Sequence, residues 1–379
     1  MHKVLLIFGT RPEAIKLCPV IRSLREYPTR FDVRVCVTAQ HREMLDQVLE
    51  AFDVKPDHDL DLMLPGQTLF QSTSRILAGL EGVLKTEQPS IIIVQGDTTT
   101  TLCGSLAGFY LHIPVAHVEA GLRTGDMRQP FPEEMNRVLT SHLAELHFAA
   151  TLMAAENLRT DGVAPDSIHV TGNTGIDAVL YVRDGLIEGR LQGGRLPGRE
   201  WPQLDPSKKL IVVTAHRRES FGGGFERICR ALGELADRPD VQVVYSVHPN
   251  PNVQDAVQRL LAGHPNVRLI EPLSYVPFVD LMRRAYLLIT DSGGIQEEGP
   301  SLGKPILVMR EKTERPEAVL AGTVKLVGTD HRRIVNEAQL LLDNPAAYDA
   351  MARVHNPYGD GKASSRIAEL IHSFLTRKT

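Results

Sequence analysis

From Lys3 onward the chain alternates short apolar, β-branched runs with stretches whose apolar residues recur every three or four positions. Short apolar runs bounded by turn residues predict buried parallel strands, and the wider recurrence predicts amphipathic helices. In the first half the strands are expected at 4–8, 31–37, 91–94, 115–118, 146–148 and 168–170, with helical stretches at 40–52 and 133–143 between them. The opening unit shows the logic. Val4 to Phe8 end at the turn Gly9-Thr10, Pro12 suits a first helical position, and Leu17, Val20, Ile21 and Leu24 mark one helix face. Residues 189–208 break the pattern with clustered Gly, Pro and Arg, as an interdomain linker would. A second alternating half then begins, with strands expected at 210–213, 241–245, 267–270, 287–290, 306–308 and 325–327 and a helix face at Phe225, Ile228, Leu232 and Leu235. Alternating βα units of this kind predict an α/β protein with two doubly wound parallel sheets, whose ligands bind at the carboxyl ends of the strands.

Polar residues collect at those ends. After the first strand, Arg11 and Lys16 place two cations in the opening turn of a helix, where they oppose its dipole; either an anionic ligand or solvent answers them. Asp97 follows the strand at 91–94, as a helix N-cap or as a functional acid. Glu119 follows 115–118, and an N-cap explains Glu poorly. Glu133, in Pro132-Glu133-Glu134, opens a helix where acids favour the dipole without any further role. In the second half His216, beside Arg217 and Arg218, should resist protonation unless an anion offsets the arginines. His248 reads as a turn residue or as a group supporting the site from behind, and Arg315 either reaches a diphosphate or pairs with Glu314 or Glu317. The stretch Asp291-Ser292-Gly293-Gly294-Ile295-Gln296-Glu297-Glu298 follows an apolar strand with small residues that let a helix N-terminus approach phosphate. A plain strand-to-helix turn, with Ser292 as N-cap, is the competing reading. Strand ends shared by so many polar groups favour one cleft over independent caps.

Composition narrows the class. Of 379 residues 42% are hydrophobic and 23% charged, with a formal net charge of −4 and no dense Lys/Arg block, which argues against nucleic-acid and polybasic membrane binding. No apolar run reaches the length of a membrane span, and a cytoplasmic location is expected. Cys18, Cys36, Cys103 and Cys229 are scattered in apolar surroundings and read as buried thiols. No metal-ligand spacing, G-x-S-x-G elbow, P-loop or G-x-G-x-x-G fingerprint is present, so no metal is expected.

Assembled, these segments resemble those of the bacterial non-hydrolysing UDP-N-acetylglucosamine 2-epimerases, over essentially the full length. The motifs that carry the resemblance are Phe8-Gly9-Thr10-Arg11-Pro12-Glu13-Ala14, Gly96-Asp97-Thr98-Thr99-Thr100-Thr101, His117-Val118-Glu119-Ala120-Gly121-Leu122-Arg123-Thr124-Gly125, His216-Arg217-Arg218-Glu219, the stretch from Asp291 to Glu298, and Asn356-Pro357-Tyr358-Gly359-Asp360-Gly361. The resemblance implies a GT-B architecture, two Rossmann-like domains around a deep cleft, working without a cofactor as a cytoplasmic homodimer. Domains are then expected at 1–188 and 209–360, joined by the linker 189–208, with a C-terminal helix in 361–379 returning toward the N-terminal domain. It further implies interconversion of UDP-GlcNAc and UDP-ManNAc for surface polysaccharides.

Position by position, Asp97, Glu119 and Glu133 match the family's catalytic carboxylates and His216 its catalytic histidine. Arg11, Lys16 and Arg315 match phosphate- or substrate-binding positions, Ser292, Gly293 and Gly294 the diphosphate-cradling turn, and Glu298 the ribose-binding acid. Phe278 falls in the uracil-binding segment, where Leu273 replaces a glutamine found in some relatives. Members activated by a second UDP-GlcNAc are expected to carry Gln and Arg at the positions of Glu43 and Gly66, although Gln40 is retained. Three rivals share parts of this pattern: a GT-B glycosyltransferase, a hydrolysing epimerase, and a non-catalytic UDP-sugar sensor.

Overall fold

The computed structural model of the chain describes residues 1–38, 42–64, 66–194, 201–217 and 220–378, without the side chains of residues 42 and 43. Among the described residues the strands form two all-parallel sheets. The first comprises β1 (His2–Phe8), β2 (Phe31–Val37), β3 (His58–Asp59), β4 (Ile91–Gln95), β5 (Val115–Ala120), β6 (Leu146–Ala149) and β7 (Ile168–Val170), in the order β3-β2-β1-β4-β5-β6-β7. The second comprises β8 (Lys209–Ala215), β9 (Val241–Val247), β10 (Val267–Ile270), β11 (Leu287–Thr290), β12 (Ile306–Val308) and β13 (Val324–Leu326), in the order β10-β9-β8-β11-β12-β13. Both orders run outward in two directions from the first strand, the doubly wound Rossmann-like arrangement; paired, such folds make up the GT-B class. The order reverses between β1 and β4 in one sheet and between β8 and β11 in the other. Ligands of such sheets gather at those two points.

The central strands explain the sheets. Val4 to Phe8 and Ile91 to Val94 are wholly buried, as residues covered by helices on both faces must be. Every predicted strand forms, with ends shifted by one or two residues in several; β3, two residues at an edge, was not predicted. The helix expected at 133–143 forms as Glu133–Leu143, and that expected at 40–52 forms over Arg42–Ala51, its anticipated start at Gln40 lying outside the described residues. All four cysteines are buried free thiols; burial pushes Cys36, Cys103 and Cys229 up to about 12.

The chain divides into two compact units, Met1–Ala178 with Tyr358–Thr379, and Val179–Pro357. The break expected after 188 therefore falls later than the division, which lies inside the helix Thr174–Ile187. The compositional change that suggested a linker begins only once that helix has ended, and 195–200 lie outside the described residues. In the first unit the C-terminal helix Ala363–Lys378 packs on the helix Arg11–Arg25. Its first-turn amides, which have no partner within the helix, are met from another element: Asp177 accepts from the Ala363 and Ser364 N–H groups at 3.2 and 2.8 Å.

Candidate active site

In the first unit the site grows from the turns after β1, β4 and β5. The helix Arg11–Arg25 opens with a capping box: Thr10 Oγ1 accepts from the Glu13 N–H, and Glu13 accepts from the Thr10 N–H at 2.7 Å. Glu13 does more than cap. Its buried carboxylate also accepts from the Gly9 N–H at 3.1 Å, Thr98 Oγ1 at 2.7 Å and Thr101 Oγ1 at 3.3 Å, tying the β1 turn to the β4 turn. Burial pushes its acidity down, and these donors oppose that shift. A Cβ on Gly9 would lie 2.2 Å from Thr38 Oγ1, just after β2, and 2.8 Å from Thr100 Oγ1, in the helix that follows β4, so only glycine fits there.

This network settles the place of Asp97. The N-cap of the helix Thr99–Tyr110 is Thr98, whose hydroxyl accepts from the Thr101 N–H at 3.1 Å. Asp97 therefore does not cap, as one reading of the sequence had it. Its carboxylate pairs with Arg137 at 2.6 Å, and its carbonyl accepts from Asn136 Nδ2 at 2.9 Å. Both partners lie on the helix Glu133–Leu143. That helix brings Glu133, partly exposed, to its first position, while the neighbouring Glu134 is buried and accepts from the Thr124 and Gly125 N–H groups at 2.9 and 3.1 Å. Of the two adjacent acids, one is committed to holding a loop.

Glu119 closes β5 with φ +62°, a left-handed conformation that costs a non-glycine residue roughly 1 kcal/mol and is concentrated at functional sites. Its carboxylate receives Lys16 Nζ on one oxygen and Gln95 Nε2 on the other. Lys16, the sixth residue of its helix and so beyond the first turn, has an internal carboxylate partner, and its charge needs no ligand to answer it. Arg11, also expected to bind phosphate, sits partly exposed at the first position of the same helix. The structure gathers Lys16, Glu119, Gln95 and Asp97 at the switch point of this sheet. Gln95 and Glu13 were not singled out from the sequence; a buried amide ending the run Ile91-Ile92-Ile93-Val94 was the available signal for the first.

The second unit has its own cluster, at the ends of β8 and β11. Asp291 is buried and accepts from the His216 and Arg217 N–H groups at 2.6 and 2.7 Å, locking the β8 turn to the β11 turn. His216 Nδ1 lies 3.2 Å from Asp291 Oδ1, and its ring stacks on His248 with centroids 5.5 Å apart. Burial favours the neutral imidazole, Asp291 opposes this, and Arg217 and His248 add to it, so His216 titrates below its ordinary value. The sequence expected this direction from the arginines; desolvation is the larger cause. Arg218 and Glu219 lie outside the described residues. Of the two readings of His248, a turn residue or a group supporting the site, its stacking on His216 favours the second.

Ser292 occupies the N-cap position of the helix Gly293–Glu298, yet its side chain makes no capping bond. The acids of this stretch each meet a protein group. Asp291 turns to β8, Glu297 pairs with Arg315 at 2.6 Å, and Glu298 faces the buried hydroxyl of Tyr275, whose ionisation its charge disfavours after burial. Arg315 adds a weaker contact to Glu314 at 3.4 Å, and its guanidinium carbon lies 3.5 Å from where a Cβ of Gly293 would sit. The pairing foreseen with Glu314 is present, but Glu297 is the nearer of these two acids. Leu273 is buried and Phe278 half-buried at the start of the helix Tyr275–Arg284.

Two doubly wound sheets with basic, acidic and glycine-rich turns at their switch points define an enzyme of the nucleotide-sugar type. The sequence pattern of the family described as UDP-N-acetylglucosamine 2-epimerase matches residues 22–372. The chain is 57% identical over 370 residues to UDP-N-acetylglucosamine 2-epimerase of Escherichia coli K12, covering 97% of this chain and 98% of that one. It is 58% identical to the Yersinia pestis enzyme of the same name at the same coverage. The solved structure of UDP-GlcNAc 2-epimerase from Neisseria meningitidis bound to UDP-GlcNAc matches with a TM-score of 0.87 and 48% identity, covering 98% of this chain and all of that chain. The chain belongs to the UDP-N-acetylglucosamine 2-epimerase family, as its motifs implied.

Proposed function

We propose that the protein interconverts UDP-GlcNAc and UDP-ManNAc by eliminating UDP and adding it back. The hydrogen at C2 of the sugar has no adjacent carbonyl, so direct removal is unfavourable. As the C1–O bond to the diphosphate weakens, positive charge at C1 acidifies the C2 hydrogen; a carboxylate takes the proton, the electron pair forms the C1–C2 double bond, and UDP departs, leaving a 2-acetamidoglucal. Proton delivery to the opposite face of C2 and return of UDP to C1 give the epimer. The route needs positioned acid/base groups at the sugar and donors for the leaving diphosphate.

One observation carries this reading: Asp97 and Glu119, on adjacent strand ends at a switch point, are each held by a cation, Arg137 and Lys16, and neither is spent as a helix cap. With Glu133 they are assigned the proton chemistry. His216, Arg315 and the Ser292-Gly293-Gly294 turn are assigned the diphosphate, with Arg11 and Lys16 as further substrate cations. Glu298 is assigned the ribose, and Leu273 and Phe278 the uracil, with backbone groups near Leu273 in place of a side-chain amide. The enzyme is further assigned to the cytoplasm, as a homodimer that supplies ManNAc-type sugars for surface polysaccharides. Among the described residues no helix is long and apolar enough to cross a membrane.

Proton NMR of UDP-GlcNAc with the enzyme in D₂O tests the reaction. UDP-ManNAc should accumulate to equilibrium with deuterium at C2 and without an acceptor. Free ManNAc with UDP would identify a hydrolase, and binding without exchange a sensor. Asp97→Asn, Glu119→Gln and Glu133→Gln should each lower kcat by about 100-fold or more while UDP affinity stays within about 3-fold, and near-normal turnover in all three would sink the mechanism.

A further inference from the structure

Gln95 ends a strand whose preceding residues, Ile91 to Val94, are wholly buried, and it is itself only 3% exposed. An amide at such a place costs free energy unless its polar atoms are bonded. Its Nε2 meets this condition on Glu119, donating to Oε2, while Lys16 serves Oε1. Its backbone carbonyl accepts from Thr101 Oγ1 at 2.6 Å, fixing the strand end to the following helix. The two donors on Glu119 differ in kind. Lys16 carries its ammonium on a flexible four-carbon stem, whereas Gln95 is anchored by a strand on one side and by Thr101 on the other. Glu119 departs from regular strand geometry with φ +62°, so strand pleating does not aim its side chain, and the aim depends on what the carboxylate touches.

We propose that Gln95 is a positioning residue for Glu119, fixing Oε2 while Lys16 holds Oε1, so that the carboxylate keeps one orientation toward the sugar. This rests on the assignment of Glu119 to the proton chemistry. The amide N–H bonds better to the ionised carboxylate than to the carboxylic acid, so Gln95 also biases Glu119 toward its basic form. Removing the donor should both misplace the group and make it harder to keep ionised.

Epimerisation and C2 deuterium exchange are measured on the intact enzyme between about pH 5 and pH 9, for the wild type, Gln95→Met and Gln95→Glu. Met has a similar volume and no donor. Its kcat should fall by about 10- to 100-fold, with KM for UDP-GlcNAc and UDP affinity within about 3-fold, and the acid limb of kcat should move to higher pH. Gln95→Glu can donate only while protonated, and two carboxyl groups side by side hold one proton tightly. Its rate relative to wild type should therefore rise steadily as the pH falls. A Gln95→Met enzyme with unchanged kcat and an unmoved acid limb overturns the proposal. So does a Gln95→Glu enzyme whose deficit is the same at every pH, since that is what a structural role alone would give. If the wild type itself exchanges no C2 deuterium, the epimerase mechanism fails and this inference with it; normal wild-type exchange beside an unaffected Gln95→Met overturns this inference alone.

Discussion

The imidazole of His117 is wholly buried in β5, with Nε2 2.7 Å from the Gly96 carbonyl and Nδ1 without a hydrogen-bond partner. Nε2 therefore carries the proton and donates, and the ring braces the turn that presents Asp97. Burial, with Arg123, Arg137 and His147 nearby, lowers its pKa to about 3, against an ordinary value of 6.5. Between those values the unfolded chain binds a proton that the folded one refuses, so stability falls as the pH drops, by at most ~1.4 kcal/mol per unit. Urea unfolding at about pH 7 and pH 5 should show the wild type losing ~2 kcal/mol more than His117→Gln, whose amide can donate to the same carbonyl. Equal losses would remove the imidazole from the explanation. At this scale sequence reading picks out polar residues that follow strands, as with Asp97 and Glu119, but not their supports. Glu13 read as part of a helix start and His117 as one member of a motif, because what they do depends on turns that meet only when the sheet forms.

Strands were the most legible elements, since a parallel strand covered on both faces must be apolar throughout and short. Their carboxyl ends were read short at Gln95, at Glu119 and Ala120, and at Ala215, where polar or small site residues replace the apolar run. The helix Leu69–Glu87 went unrecognised for a different reason. Gly79 and Gly82 lower its helix propensity, and Gly79, beside the buried face of Ile76, Leu80, Val83 and Leu84, leaves room for Leu60 and Leu62, whose methyl groups would lie 3.3 and 3.2 Å from a Cβ there. The C-terminal helix shows how far separation along the chain can hide a partner. Asp177 meets its N-terminus, Arg30 pairs with Glu369 at 3.0 Å, and Ile367 and Ile371 are wholly buried. Surface pairs such as Arg30 with Glu369 contribute little, so the buried isoleucines dominate. Ile371→Ala should cost about 2–5 kcal/mol in urea unfolding, whereas Leu320→Ala, at a position 81% exposed, should stay within about 0.5 kcal/mol. Similar costs for both would mean that the C-terminal helix is not docked as described.

At the scale of the whole molecule, the open question is how its rate depends on substrate concentration. In relatives activated by a second UDP-GlcNAc, the resemblance places polar side chains where this chain has Glu43 and Gly66. Gly66 has φ +72°, and among the described residues nothing lies within 4 Å of where a Cβ would sit. Gln40 and the Glu43 side chain lie outside the described residues. Replacing an arginine by glycine removes a bidentate phosphate donor, and a glutamate adds charge of the same sign as a nucleotide diphosphate. An activator can shift an equilibrium only by its differential affinity for the two states, and both changes reduce what a second nucleotide sugar could gain. Initial rates against UDP-GlcNAc should therefore be close to hyperbolic, and UDP-ManNAc offered alone should be converted without a requirement for added UDP-GlcNAc. A sigmoidal curve with UDP-ManNAc inert on its own would overturn this, and would require the second nucleotide sugar to be held by groups other than those at positions 43 and 66.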